Sequence, residues 1–156
     1  MKKLLPKILI ALIVIAIGIQ FIPVDTTNPP IENTVTWANP QTKEFFTNAC
    51  ADCHSNETVW PWYAKIAPVS WWISHHVEEG REHFNISVAD MGDADEAYEA
   101  VHEGWMPLES YTWMHPKAKL TAEQKTEFVA GLKATFNVGQ STKEHESEDG
   151  HEGHEH

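Results

Sequence analysis

Cys50-Ala51-Asp52-Cys53-His54 sets two thiols three residues apart and an imidazole directly after the second. On one helical turn both sulfurs share a side, so each can add to one vinyl group of a porphyrin. His54 then lies beneath the iron and donates a ring nitrogen as the proximal ligand. This is the spacing of covalent c-type attachment, and it predicts one haem c joined through Cys50 and Cys53 with His54 on the metal. Other chemistries fit the same residues less well. A thioredoxin-like redox pair calls for a βαβ setting that the sequence does not offer. A zinc site calls for four ligands, and there is no second pair of cysteines. A disulfide between neighbours on one helix would be strained, because the Cβ vectors diverge.

An iron held from one side takes a sixth ligand or keeps an open position. Beyond His54 the candidates are Met91, Met106, Met114, His75, His76, His83, His102 and His115. Met106 is the expected ligand. It follows a helix end at Gly104 and precedes Pro107, so it sits on a stiff loop, with enough chain after His54 to cross to the opposite face of a porphyrin. A methionine there is also an ordinary soft core filler. His115, which likewise precedes a proline, and His76, one helical turn after Trp72, are the alternatives. A thioether ligand would raise the reduction potential relative to imidazole, and a vacant position would admit small molecules.

Trp60, Trp62, Trp71 and Trp72 crowd into thirteen residues interleaved with Pro61 and Pro68. A porphyrin is a large flat apolar object, and aromatic walls keep water from it. Trp60, Trp62 and the adjoining Tyr63 are therefore candidate cofactor contacts, with Arg81 a candidate partner for a propionate. The same rings could equally fill a small core or form a patch for docking a partner.

These residues need helices to hold them. The periodicities across residues 37–136 are helical, and no alternating strand pattern appears. Asn39-Pro40 starts a first helix carrying Phe45, Phe46, Ala49 and both thiols on its apolar face. A second runs from near Ser70 through Trp72 and His76 to Gly80. A third is predicted to be capped by Asp93 with Glu96, to bury Ala97, Tyr98 and Val101, and to stop at Gly104. The last has Thr121 and Gln124 as its capping box, with Phe128, Leu132 and Phe136 as its buried stripe. Four helices joined by proline-rich connections make a small all-α domain.

Before this domain lie a basic head with Lys2, Lys3 and Lys7 and an apolar run from Ile8 to Ile22, closed by Pro23. As a helix that run reaches about 22 Å, short of a bilayer core of roughly 30 Å; Leu4, Leu5 and snorkelling lysines extend it. An uncleaved membrane anchor is the expectation, with a signal peptide cut after Ala16-Ile17-Gly18 as the alternative. Either one sends the domain to the far side of the membrane, because the lysines stay in the cytoplasm. The expected location is the bacterial inner membrane, crossed once, with the domain in the periplasm. Residues 25–36 are polar with Pro29-Pro30, composed like a semi-extended tether. Residues 137–156 form a Glu/His-rich tail whose composition suits disorder and weak metal affinity.

The 156 residues hold 11 Lys+Arg against 23 Asp+Glu, for a net charge of −12. The head contributes +3 and the tail −5, which leaves −10 on residues 25–142. So acidic a unit excludes nucleic acid as a partner. It suits instead a redox protein with a basic docking face, approached at salt-dependent rates.

The run from Cys50 to Ser87 resembles the haem-binding domain of small membrane-anchored bacterial proteins. The matching residues are Cys50-x-x-Cys53-His54-Ser55-Asn56, Trp60-Pro61-Trp62-Tyr63, Ala67-Pro68-Val69-Ser70-Trp71 and Gly80-Arg81-Glu82. Met106-Pro107, Tyr111, His115-Pro116 and Leu120 are similar to the C-terminal half of that family. The resemblance implies a cytochrome-c-like domain with a single haem and says little about physiological role. No catalytic constellation independent of haem is identifiable, so the expected function is one-electron transfer between periplasmic or membrane redox partners rather than enzymatic turnover. The alternatives are a haem-based sensor or ligand-binding module with an open or displaceable sixth position, and a peroxidase.

Overall fold

In a computed structural model, which describes residues 4–136, the chain forms seven α-helices and, among those residues, no β-strand. The first, α1 (Leu5–Gly18), is apolar on all sides beyond Lys7 and continues as a 3-10 turn over Ile19–Phe21. At 14 residues it is about 21 Å long. No helix among the described residues is long and apolar enough to cross a membrane by itself.

Residues 22–38 follow without regular structure. This stretch is extended, as its prolines demand, and it lies against the helical domain. Gln20 grips the Ala67 backbone at both ends of its amide, accepting from the N–H and donating to the carbonyl at 3.0 Å each. Asn28 donates to the Thr58 carbonyl, the Pro30 carbonyl accepts from the Asn56 amide, and the Ser87 carbonyl accepts from the Glu32 and Asn33 N–H groups. The stretch therefore has the composition of a linker but is held by hydrogen bonds as part of the domain.

The domain begins where the sequence predicts. Asn39 accepts from the Thr42 amide, and Pro40 opens α2 (Pro40–Ala49). The expected continuation through both thiols is interrupted: Cys50 leaves helical geometry (φ −128°, ψ −35°), and a single turn, α3 (Ala51–His54), carries Cys53 and His54. After a 3-10 turn at Trp62–Lys65 comes α4 (Val69–His83), which runs three residues past its predicted end. Gly80 does not terminate this helix but lets it approach α3.

Asp93 makes no side-chain cap. A 3-10 turn (Ala94–Glu96) leads into α5 (Ala97–Glu103), and Gly104, at φ +84°, ends it in the left-handed region as expected. A helix missing from the sequence reading, α6 (Glu109–Met114), follows. The final helix, α7 (Ala122–Thr135), has the full Thr121/Gln124 capping box.

The core lies where α2, α5 and α7 meet, around Phe45, Phe46, Phe84, Val101, Phe128 and Leu132. Phe45 packs edge-on to Phe128 with centroids 5.7 Å apart, and Trp37 covers Phe46 at 4.9 Å. The α2–α7 crossing is so close that a Cβ on Gly131 would collide with the side chain of Thr42. Gly131→Ala should therefore lower stability by about 1–3 kcal/mol despite the better helix propensity of alanine. Urea unfolding measures this, and adding Thr42→Ala should return part of the loss.

Candidate functional site

Cys50 and Cys53 are free thiols, and both face a cleft of about 780 Å³ lined also by His54, His76, His83, Met106, Leu108 and Tyr111. An apolar lobe of about 600 Å³ adjoins it, walled by Val59, Pro61, Tyr63, Trp72, Ile73, Val77 and Met114. The two share Asp52, Cys53, His76, Leu108 and Tyr111, so they are parts of one space. Burial pushes the Cys50 thiol up to about 12 and the Cys53 thiol to about 11, the latter helped by the Asp52 carboxylate. A thiol held neutral in this way is a weak redox nucleophile.

His54 is buried and fixed from two sides. Its Nδ1 is 3.2 Å from the Phe84 carbonyl; a carbonyl can only accept, so Nδ1 carries the proton and Nε2 keeps its lone pair. The Phe84 ring stacks on the imidazole at 3.9 Å and 8°. Burial lowers the His54 pKa, against the opposing pull of backbone carbonyls, and so favours the neutral form that a metal requires. Tautomer and charge state are thus those that an imidazole needs in order to bind a metal.

The turn carrying these groups is strapped to the segment after α4. The Ile86 N–H donates to the His54 carbonyl at 3.1 Å, and the Ser87 hydroxyl accepts from the Asn56 N–H at 2.9 Å. The Asn85 amide donates to the Asn56 side chain at 2.8 Å. Phe84, Asn85, Ser87 and Asn56 were assigned no role from the sequence. The available signal was that Asn56, Asn85 and Ser87 are small polar residues with no surface pattern, and all three prove to be buried. Asp52, between the two cysteines, accepts from the Val59 N–H and from the Tyr111 hydroxyl at 2.7 Å, which joins α3 to α6 at the cleft.

The other predicted site residues divide. Met106 is half-buried and, together with His54, lines both the main cleft and a small apolar pocket formed by Phe46, Phe84, Val101 and Leu132. His76 and His115 both line the apolar lobe, each with Nδ1 bonded to a carbonyl one turn back, Trp72 and Tyr111 respectively. Tyr63 lines that lobe too. Trp60 and Trp62 do not line the cleft or the lobe: Trp60 donates to the Asn28 side chain, and Trp62 is 76% exposed. Arg81 is occupied elsewhere, with Nε on the Ser55 carbonyl and Nη2 on Asn28 and Thr58. It clasps the loop after His54 to the extended N-terminal stretch. The His-rich tail lies outside the described residues.

Compared with known families, the sequence matches the one described as a haem-binding domain over residues 14–134. The chain belongs to this haem-binding domain family. The match begins inside α1 and includes the extended stretch, in keeping with the hydrogen bonds that hold residues 20–33 to the domain. No curated protein and no solved structure matches the chain.

The haem-binding domain depends on close approach of α4 to the cysteine turn. A Cβ on Gly80 would stand 2.7 Å from the Cys53 carbonyl oxygen and 2.8 Å from its Cβ. One obstacle is backbone, so the contact cannot be relieved by a side-chain rotation. Gly80→Ala should separate the two elements, costing about 1–3 kcal/mol and lowering the haem-to-protein ratio of purified material. Absorbance at the Soret band relative to protein mass checks it.

Proposed function

We propose that this haem-binding domain is a monohaem c-type cytochrome that carries single electrons and catalyses no reaction of its own. The observation behind the reading is the pairing of two free, cleft-lining thiols with an imidazole, on the same cleft, whose tautomer leaves Nε2 its lone pair. Cys50 and Cys53 would hold the haem through thioether links, and His54 would be its proximal ligand. Met106 would be the distal ligand, favoured because it shares both the cleft and the inner apolar pocket with His54. When bound, the haem supplies a ferric/ferrous couple. The residues of the chain fix its ligands, and the apolar lobe keeps water from its faces.

In the same reading α1 anchors the chain in the bacterial inner membrane as a single pass, with the domain in the periplasm. The apolar circumference of α1 and the lysines before it support this. A helix of this length requires local bilayer thinning and snorkelling ends, both of modest energetic cost.

Boiling in detergent should leave the protein coloured, with an intact mass one haem above that of the polypeptide; a colourless chain of bare polypeptide mass overturns covalent attachment. Met106→Ala should convert a low-spin, carbon-monoxide-insensitive spectrum into one that responds to carbon monoxide, while His76→Ala and His115→Ala should leave it unchanged. A wild-type spectrum that already shifts with carbon monoxide would favour the ligand-binding module.

The partner would carry a basic docking face. Among the described residues no Lys or Arg lies within 4.0 Å of a carboxylate; both ion pairs there involve histidine. The acidic surface is therefore left largely uncompensated and can steer a cationic partner. Stopped-flow reduction by a basic redox protein should slow as ionic strength rises, whereas a flat response would count against electrostatic docking.

A further inference from the structure

Twenty consecutive residues, 58–77, contain no Asp or Glu in a chain that has 23. Lys65 is their one formal charge. The longest other acid-free stretch is residues 1–24, which holds α1. The two are joined: Gln20, just beyond α1, makes its paired hydrogen bonds to Ala67, in the middle of residues 58–77. At the border, the Asp25 carbonyl accepts from the Ser74 hydroxyl.

Around that joint the surface is apolar and uncovered. Trp62 is 76% exposed, Trp72 48%, and Ile66 and Val69 43% each. Val69 and Trp72 are three apart on α4 and so share a face. Phe21 (81%) and Ile22 (55%) extend the patch from the α1 side. Isolated exposed apolar residues are ordinary, but four within residues 62–72, two of them tryptophans, mark an interaction site.

We infer that this patch seats the haem-binding domain on the bilayer surface, with Trp62, Ile66, Val69 and Trp72 among the lipid headgroups. The inference rests on reading α1 as a membrane anchor. If α1 is inserted, Gln20 lies at the outer boundary of its apolar run, and its bonds to Ala67 hold the patch at that depth. Indole is suited to this zone, having an apolar body and a polar N–H. The absence of acids suits it as well, since acidic side chains would be repelled by anionic headgroups. Trp72 also lines the apolar lobe of the cleft, so the seated face and the haem site share a wall. Electrons would then be exchanged close to the membrane surface.

The test uses the full-length, haem-loaded chain in phosphatidylethanolamine/phosphatidylglycerol vesicles containing a phospholipid with a photoactivatable diazirine near its glycerol backbone. After illumination, adducts are mapped by mass spectrometry. Peptides covering residues 62–72 should be labelled along with α1, severalfold above the peptide carrying Trp105, which is exposed but lies outside the patch. Gln20→Ala should lower the labelling of residues 62–72 while leaving α1 labelled. Trp62→Ser with Val69→Ser, neither of which lines the cleft or the lobe, should lower it on Ile66, with the Soret band unchanged. Labelled α1 with residues 62–72 at the Trp105 level overturns the seating, whether the patch faces water or a protein. Unlabelled α1 overturns the anchor reading instead and takes the seating with it.

Discussion

The hydrogen bond from His54 Nδ1 to the Phe84 carbonyl is the constraint around which the site is built. An imidazole can offer a metal only a nitrogen that holds no proton, so the proton must be kept on the other nitrogen. A backbone carbonyl does this independently of pH, because it has no protonation state of its own to change. Phe84 supplies that carbonyl together with the ring that stacks on the imidazole. The bonds linking Asn56, Asn85, Ser87 and Ile86 in turn keep Phe84 in register with the cysteine turn. The buried polar residues of this region thus satisfy one another while holding the ligand still.

The helices divide the labour. The crossing of α2 and α5 with α7 buries the large aromatics and supplies most of the hydrophobic stabilisation. By contrast, α3 is a single turn with only His54 buried, too short to persist without support. Its support is α4: Gly80 allows backbone contact with Cys53, and Arg81, one residue on, ties the following loop to Asn28. One helix thus carries both the close approach and the clasp, which accounts for its continuing beyond the glycine.

How much of this was legible in the sequence depended on whether the signal was local. Asn39-Pro40, Thr121 with Gln124, and Gly104 all act within one turn of themselves, and all behave as read. The spacing of Cys50, Cys53 and His54 is equally local, and the three residues line one cleft. What was missed is non-local. Nothing near Cys50 announces the break between α2 and α3, which follows from packing against α4. Gly80 reads as a helix end until its neighbour across the interface is known. Arg81 reads as a propionate partner until Ser55, Thr58 and Asn28 are seen around it. The polar stretch 25–36 has the composition of a free linker because its partners, Thr58, Asn56 and Ser87, lie far along the chain. The six residues of α6 were too few to show a period.

The two half-buried thiols carry a chronological implication. Burial in the closed fold raises both thiols above their ordinary value, so neither is readily ionised at neutral pH. Once α4 has closed over the turn, both sulfurs are chemically quiet. They are slow toward oxidants, which guards the pair against joining each other, and equally slow toward an incoming vinyl group. If a porphyrin is joined here, as proposed, the joining is work for a chain still open at this point, and the closing of the fold acts as its deadline.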